Sequence, residues 1–428
     1  VSKKICMFVW NHFTNDARVL REAIALTEAG YEVDVVAVHD PKNPHLSRKE
    51  TLNGFNVIRV KRYPNIYIKI QELKRKVFKT KKIVKNKKML VLLMIPAAIL
   101  LFPLFLVYKL IYLFLKKTKF LKTYIRFCIF LRMIKEGLRK DYDIYHSNDL
   151  NTLPQGYICK LIKKSKLIYD SHEVQTSRTG YVGKQYYYLE KFLIKKIDKM
   201  IMTTDTRAEY TAKLYGIEKP EVVHNYPFYR VPQKHSVDLY KLLDITKEEP
   251  ILLYQGGIQQ GRGLEKIVEA IPKIKKGVIV FIGDGKIKNE IIKLCEEIGV
   301  MDRVRFVPKV PVNELLNYTQ NAYLGFQVLQ NICYNHYSTL SNKLFEYIMA
   351  EVPVVASSFP EIKKVVEGER VGVTIDPHES ENIAKAVNFM IDNPDKYAEY
   401  KANCKKAREK YNWEREKENF IRIYREVI

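Results

Sequence analysis

Residues 3–38, KKICMFVWNHFTNDARVLREAIALTEAGYEVDVVAV, decide the fold. KKICMFVW (3–10) has the short apolar run of a buried strand. NDARVLREAIALTEAG (15–30) carries apolar residues at helical spacing, with Asn15 or Asp16 near the cap and Gly30 at the end. YEVDVVAV (31–38) is a second strand. Strands alternating with helices predict a parallel, doubly wound α/β sheet.

The same alternation runs outward from this unit. FNVIRV (55–60) adds a strand, the pattern breaks over 63–140, and it resumes with DYDIYHSND, LNTLPQGYICKLIKK and KLIYDSHE. KQYYYLEKFLIKK, KMIMTT, a helix over 206–215 and EVVHNYP complete a first domain, 1–227. A polar stretch, 228–249, reads as a linker. A second series, beginning with PILLYQGG and continuing through GVIVFIGDG, RVRFVPKV, AYLGFQV, NKLFEYIMA and VPVVASS, forms a second domain over 250–405. The last residues, 406–428, read as a charged helix returning to the first domain. The expected fold class is α/β, two Rossmann-like doubly wound parallel-sheet domains facing a cleft, with an apolar helical insertion in the first.

The 428 residues carry a formal charge of +25, and its distribution matters more than its size. Residues 61–140 hold 22 Lys and Arg against two acids, Glu72 and Glu136. Inside this basic stretch lies MLVLLMIPAAILLFPLFLVY (89–108), and the apolar run continues to 115 broken only by Lys109. Cations confined to the shoulders of an apolar run suit anionic lipid headgroups. A nucleic-acid groove would spread charge over a folded surface and interleave stacking aromatics, so nucleic acid is not an expected partner. Both flanks supply strands to one sheet and both are basic, which excludes a single crossing and puts both on the cytoplasmic side. Pro96 and Pro103 disfavour one unbroken helix. Two arms of a hairpin would each be too short for the ~30 Å hydrocarbon core. A monotopic or re-entrant segment is therefore expected, followed by an interfacial helix over 120–140 with Arg126, Arg132 and Lys135 among aromatics. A buried core helix or an oligomer contact is the alternative. The six cysteines lack CxxC spacing and read as reduced packing residues, and no signal peptide is evident before VSKKICMFVW.

The chemistry-bearing signals cluster in the second domain. YQGGIQQGRGLEKIVEA (254–270) sets Gly256 and Gly257 after a strand and Arg262 at a helix start, a pattern suited to phosphate. STLSNKLFEYIMAEVPVVASS (338–358) places Glu346 one turn inside another helix, where a carboxylate could accept two ribose hydroxyls. Together they suggest a nucleotide diphosphate site.

NDARVLREAIALTEAGYEVDVVA, YDIYHSNDLNTLPQG, LIYDSHE, YQGGIQQGRGLEKIVEA, FIGDG and SNKLFEYIMAEVPVVAS together resemble, in order, the blocks of family-four retaining glycosyltransferases of GT-B fold. The resemblance covers most of the chain outside 63–140. It implies that Arg262 holds the donor diphosphate, with Gly256, Gly257 and Gly283 in the surrounding turns, and that Glu346 binds the donor ribose. It implies that His172 faces the donor sugar, and it sets Asp149 at a neighbouring strand end and Asn15, Asp16 and Arg18 on the first loop of the acceptor-side domain. His172 as a core or capping histidine, and Asp16 as a plain helix cap, are the structural alternatives. Two positions depart from the family pattern: Gly257 where many relatives have Arg, and Ser338 where they have Glu. Arg262 and the helix-start amides at Ser341 and Asn342 must then carry more of the phosphate charge, and Lys343 is a further candidate to neutralise the leaving group.

The family mechanism implies same-face transfer without a metal or other cofactor. The one D-x-D, Asp141-Tyr-Asp143, reads as a solvated strand start. The expected partners are a nucleotide sugar, a lipid-linked glycan acceptor (polyprenyl-diphosphate type, with a glycerolipid or lipid A-type acceptor as alternative) and anionic membrane lipids. The expected location is the cytoplasmic face of the cell membrane. A soluble epimerase fits the apolar insertion poorly, and a non-catalytic scaffold fits the retention of Arg262, Glu346 and His172 poorly.

Overall fold

The computed structural model describes residues 2–43, 45–64, 119–178, 181, 183–233 and 237–428. The apolar run with Pro96 and Pro103 lies outside these residues. The chain divides into two units, Val1–Ile168 and Tyr169–Ile428, with the division inside one strand.

The first unit contains β1 (Lys4–Phe8), β2 (Glu32–Val38), β3 (Lys49–Leu52), β4 (Phe55–Val60), β5 (Ile144–Asn148) and the start of β6 (Lys166–Ser171), in the order β3-β4-β2-β1-β5-β6. β1 pairs in parallel with β2 on one side and β5 on the other. Central strands buried on both faces read as near-continuous apolar runs, which is why ICMF, and VDVVAV apart from Asp34, were legible. Among the described pairings of this unit, β3 with β4 is the antiparallel one; the alternating exposure of β3 marks an edge, and KETL gave no strand signal. Asp16 caps the helix Ala17–Glu28, its carboxylate accepting from the Val19 amide at 3.2 Å.

The helix Lys119–Gly137 corrects the expectation of a purely interfacial segment. Ile129 and Met133 are in the core, and Arg132 donates to the carbonyls of Lys61 and Tyr63 at 2.5 and 2.9 Å. The opposite face leaves Tyr124, Phe127 and Leu131 exposed. Being apolar on two sides, the helix presents no single stripe by which the sequence could assign its partner. Among the described residues no helix is long and apolar enough to cross a membrane.

The second unit contains the end of β6, then β7 (Lys199–Met202) and β8 (Glu221–Val222), and a six-stranded sheet. The six strands are β9 (Ile251–Gln255), β10 (Val278–Ile282), β11 (Val304–Val307), β12 (Leu324–Gln327), β13 (Val354–Ser357) and β14 (Gly372–Ile375). They are ordered β11-β10-β9-β12-β13-β14, all parallel. Strand periodicity of two sends Ile251 and Leu253 into one apolar layer and Leu252 and Tyr254 into the other. Each fully buried aliphatic contributes about 1.5–3 kcal/mol. Leu239 and Ile245 join the first of these layers, so the stretch after 237 packs on this sheet.

The helix Trp413–Val427 covers the edge of β8. Asn419 donates to the Val222 carbonyl at 2.8 Å, Arg422 pairs with Glu221 at 2.8 Å, and Glu416 accepts from the His224 amide at 2.9 Å.

Candidate functional site

β9 ends in Gln255, and the chain then turns through Gly256 (φ +122°) toward the helix Leu264–Ala270. The turn is closely packed. A Cβ on Gly263 (φ +73°) would stand 2.1 Å from the Val328 carbonyl, and one on Gly283 would stand 1.9 Å from the Gly256 carbonyl. These contacts need glycine, and they bring the ends of β9, β10 and β12 together at the carboxyl edge of the sheet, where open parallel sheets bind ligands.

Two cations meet this loop. Lys343, on the helix Asn342–Met349, is only 8 % exposed. Its stem lies against Gly256, and its ammonium donates to the Tyr254 hydroxyl at 2.9 Å. Burial pushes the Lys343 ammonium well below the ordinary lysine range; the Arg262 cation adds to the effect and Glu346 opposes it. A buried ammonium whose contact is a neutral phenol suits an anionic ligand. Arg262 is half-buried on the same loop.

Glu346 is aimed from below. Its Oε2 accepts from the Gln255 carboxamide at 2.8 Å, and the Gln255 oxygen accepts from the Thr319 hydroxyl at 2.7 Å. Gln255 is fully buried, so the carboxylate is held by the sheet itself. Ser341 precedes the helix Asn342–Met349 as its cap, leaving the first-turn amides without a side-chain cap from it.

His172 follows β6, its Nε2 3.6 Å from the buried Asp170 carboxylate. Its backbone is fixed by Arg207, a buried residue of the helix Asp205–Tyr215. That guanidinium donates to the His172 carbonyl at 2.7 Å, the Asn335 carbonyl at 2.9 Å, the Thr203 hydroxyl at 2.7 Å and Ser338 Oγ at 3.3 Å. Asn335 in turn brackets the Val174 amide and carbonyl at 2.8 and 3.1 Å. Ser338 is fully buried and donates to the Tyr334 carbonyl at 2.7 Å, so its hydroxyl serves the scaffold. His336 packs over Gly261 and bonds the Gln330 carbonyl at 3.1 Å. Burial lowers its imidazole, the Gln330 bond opposes that shift, and Arg262 reinforces it.

The structure thus gathers Gly256, Gly257, Arg262, Gly283, Lys343 and Glu346 at one sheet end. It ties the His172 loop to the segment preceding Ser341 and Asn342. Asp149 belongs to the first unit, where it follows β5 in a left-handed conformation (φ +63°). Asp141 and Asp143 engage separate partners, Lys163 at 2.6 Å and Lys3 with the Lys4 amide at 3.1 and 2.8 Å. Arg18 pairs with Glu22 at 2.9 Å in the interior. Tyr254, Gln255, Arg207 and His336 were not singled out by sequence; Tyr254 and Gln255 adjoin Gly256, the one available hint.

Residues 241–407 match the family model described as Glycosyl transferases group 1. A glycosyltransferase of Methanocaldococcus jannaschii is 21 % identical over 66 % of this chain and 75 % of its own length. Among solved structures, the sucrose-phosphate synthase of Thermosynechococcus elongatus is similar with a TM-score of 0.74 at 16 % identity, over 99 % of both chains. The Anabaena protein HepE, solved with UDP-glucose, is similar with a TM-score of 0.69 at 12 % identity, over 99 % of this chain and all of that one. These likenesses show a shared fold of two parallel-sheet α/β domains, the GT-B class, and with the family match they support glycosyltransferase activity.

Proposed function

We propose that this glycosyltransferase takes a sugar from a UDP- or GDP-linked donor and adds it, with retention of configuration, to a lipid-linked saccharide at the cytoplasmic face of the membrane. One observation carries the donor half: Arg262 and the buried Lys343 converge on the glycine turn beside a Glu346 held by Gln255. The donor diphosphate lies against Gly256 and Gly257, with the Lys343 side chain beside Gly256. Arg262, Lys343 and the amides at Ser341 and Asn342 face its charge. Glu346 accepts the ribose hydroxyls. The two side-chain cations supply the charge that a metal ion would otherwise bring, so transfer needs none. A UDP-glucose complex of a protein with this fold agrees with a nucleotide-sugar donor.

In the step itself the bond from the anomeric carbon to the diphosphate oxygen breaks and a bond to the acceptor oxygen forms on the same face. The acceptor proton passes to the departing phosphate oxygen. His172 steadies the sugar, its backbone fixed by Arg207. The acceptor half is supported by the basic, apolar stretch at 74–122 and by the exposed Tyr124, Phe127 and Leu131 beside Lys122 and Arg126. The rival acceptor classes, a glycerolipid or lipid A-type molecule, share this surface requirement.

Thermal unfolding with UDP, GDP, ADP and CMP, each with and without EDTA, tests the donor half. One diphosphate at about 100 times its Kd should stabilise by about 2.7 kcal/mol, in EDTA as well, and at the same concentration should stabilise Glu346→Ala distinctly less. Indifference to every nucleotide would overturn the donor site.

A further inference from the structure

We propose that the helix Lys184–Leu193 is a second membrane-contact face, lying in the plane of an anionic bilayer at the headgroup boundary. The inference rests on the membrane location proposed above but uses none of the residues that suggested it. The ten residues, KQYYYLEKFL, are too few to span a bilayer and long enough to lie along one.

The polarity of this helix is reversed from that of a helix packed in water. Its one acid, Glu190, is 2 % exposed and accepts from the Tyr169 and Tyr215 hydroxyls, both at 2.7 Å. Three of its large apolar groups face out: Tyr188 is 61 %, Leu189 40 % and Phe192 57 % exposed. Tyr188 and Phe192 stand one turn apart on the same side. Lys184 and Lys191 are exposed on the helix, and Lys195 and Lys196 on the turn that follows. The outward surface of the helix is therefore aromatic and cationic.

Anionic headgroups complement that surface. Lysine stems lie along apolar surface while their ammonium groups reach the phosphates, and tyrosine rings favour the same depth. A protein partner fits less well, because lysine is depleted in the cores of protein interfaces. Tyr187 stacks on Tyr215 at 5.4 Å and Leu193 is buried, which hold the helix down while its outer face is offered.

The test uses the full chain carrying Tyr188→Trp, with vesicles of phosphatidylcholine alone or mixed with phosphatidylglycerol. The wild-type signal from Trp10 and Trp413 is subtracted as background. Emission from the introduced tryptophan should shift to shorter wavelength, and be quenched by brominated acyl chains, only with the anionic vesicles. Tyr188→Ser with Phe192→Ser should bind those vesicles about tenfold more weakly or worse, since binding scales with the apolar area buried. Nucleotide stabilisation should persist in both variants, which shows the fold intact. Wild-type protein that sediments with vesicles, while emission from the introduced tryptophan stays fixed, would overturn this face and leave the membrane location standing. Wild-type protein that ignores anionic vesicles would overturn both. A dimer that dissociates in the double serine variant would assign the face to a second copy of the chain and overturn the proposal.

Discussion

Gln255 and Glu346 are joined carboxamide to carboxylate at 2.8 Å, so the end of a buried strand sets the direction of the acid proposed to take the donor ribose. Glu346→Ala should weaken nucleotide binding by about 1.5–3 kcal/mol, the worth of a charged hydrogen bond, or roughly 10–150-fold in Kd. Gln255→Met keeps the acid but removes this one bond to it, and should cost less in affinity than Glu346→Ala. Titration calorimetry of the two variants checks the order; equal and unaltered affinities would remove Glu346 from the site.

Lys343 gives a pH dependence whose sign is unusual. Its folded pKa lies below its unfolded value, so the unfolded chain binds the extra proton between the two. Its contribution to stability is therefore most favourable above the ordinary lysine pKa and is lost as pH falls toward the folded one. Lys343→Met should raise the stability of the nucleotide-free protein and flatten this slope. A diphosphate binds the protonated form, so wild-type binding should take up a proton and weaken as pH rises. Calorimetry in buffers of different ionisation enthalpy measures that uptake, and Lys343→Met should abolish it.

Gly263→Ala should disrupt the glycine turn and with it the proposed diphosphate site. The left-handed backbone alone costs about 1–2 kcal/mol, and the added carbon would meet the Val328 carbonyl. Gly216 has similar backbone (φ +64°) but open space around it. Gly216→Ala should therefore cost stability without touching nucleotide affinity, and binding assays on the pair separate backbone strain from the crowding at 263.

Arg207 should act on turnover through position. Arg207→Lys cannot reach the carbonyls of His172 and Asn335 and the hydroxyls of Thr203 and Ser338 together. Turnover should fall more than nucleotide affinity in this variant, as in His172→Ala. Loss of affinity with turnover intact would make Arg207 part of the donor site instead.

The parallel sheets were legible because buried strands such as VDVVAV and ILLYQ are apolar apart from Asp34 and Gln255, and because helices of clear period alternate with many of the strands. The glycine turn, Arg262 and Glu346 were legible because they sit in short motifs. Gln255 and Arg207 were not: Gln255 reaches Glu346 across 91 residues and Arg207 reaches Ser338 across 131, and no local pattern announces a buried polar contact of that range. The helix Lys119–Gly137 was half legible, its outward face suggesting lipid and its inward face, with Ile129 and Met133, carrying no separate signal.

The helix Trp413–Val427 lies over β8, yet it is made long after it. At ~5–20 residues per second, a ribosome needs about 10–40 s to add the intervening chain. During that interval the open edge of β8 has no cover from this helix, and an uncovered edge is a template for another nascent strand. The timing of translation, rather than the finished fold, thus sets when this chain is most exposed to mispairing and when a chaperone holding residues 199–222 would matter most.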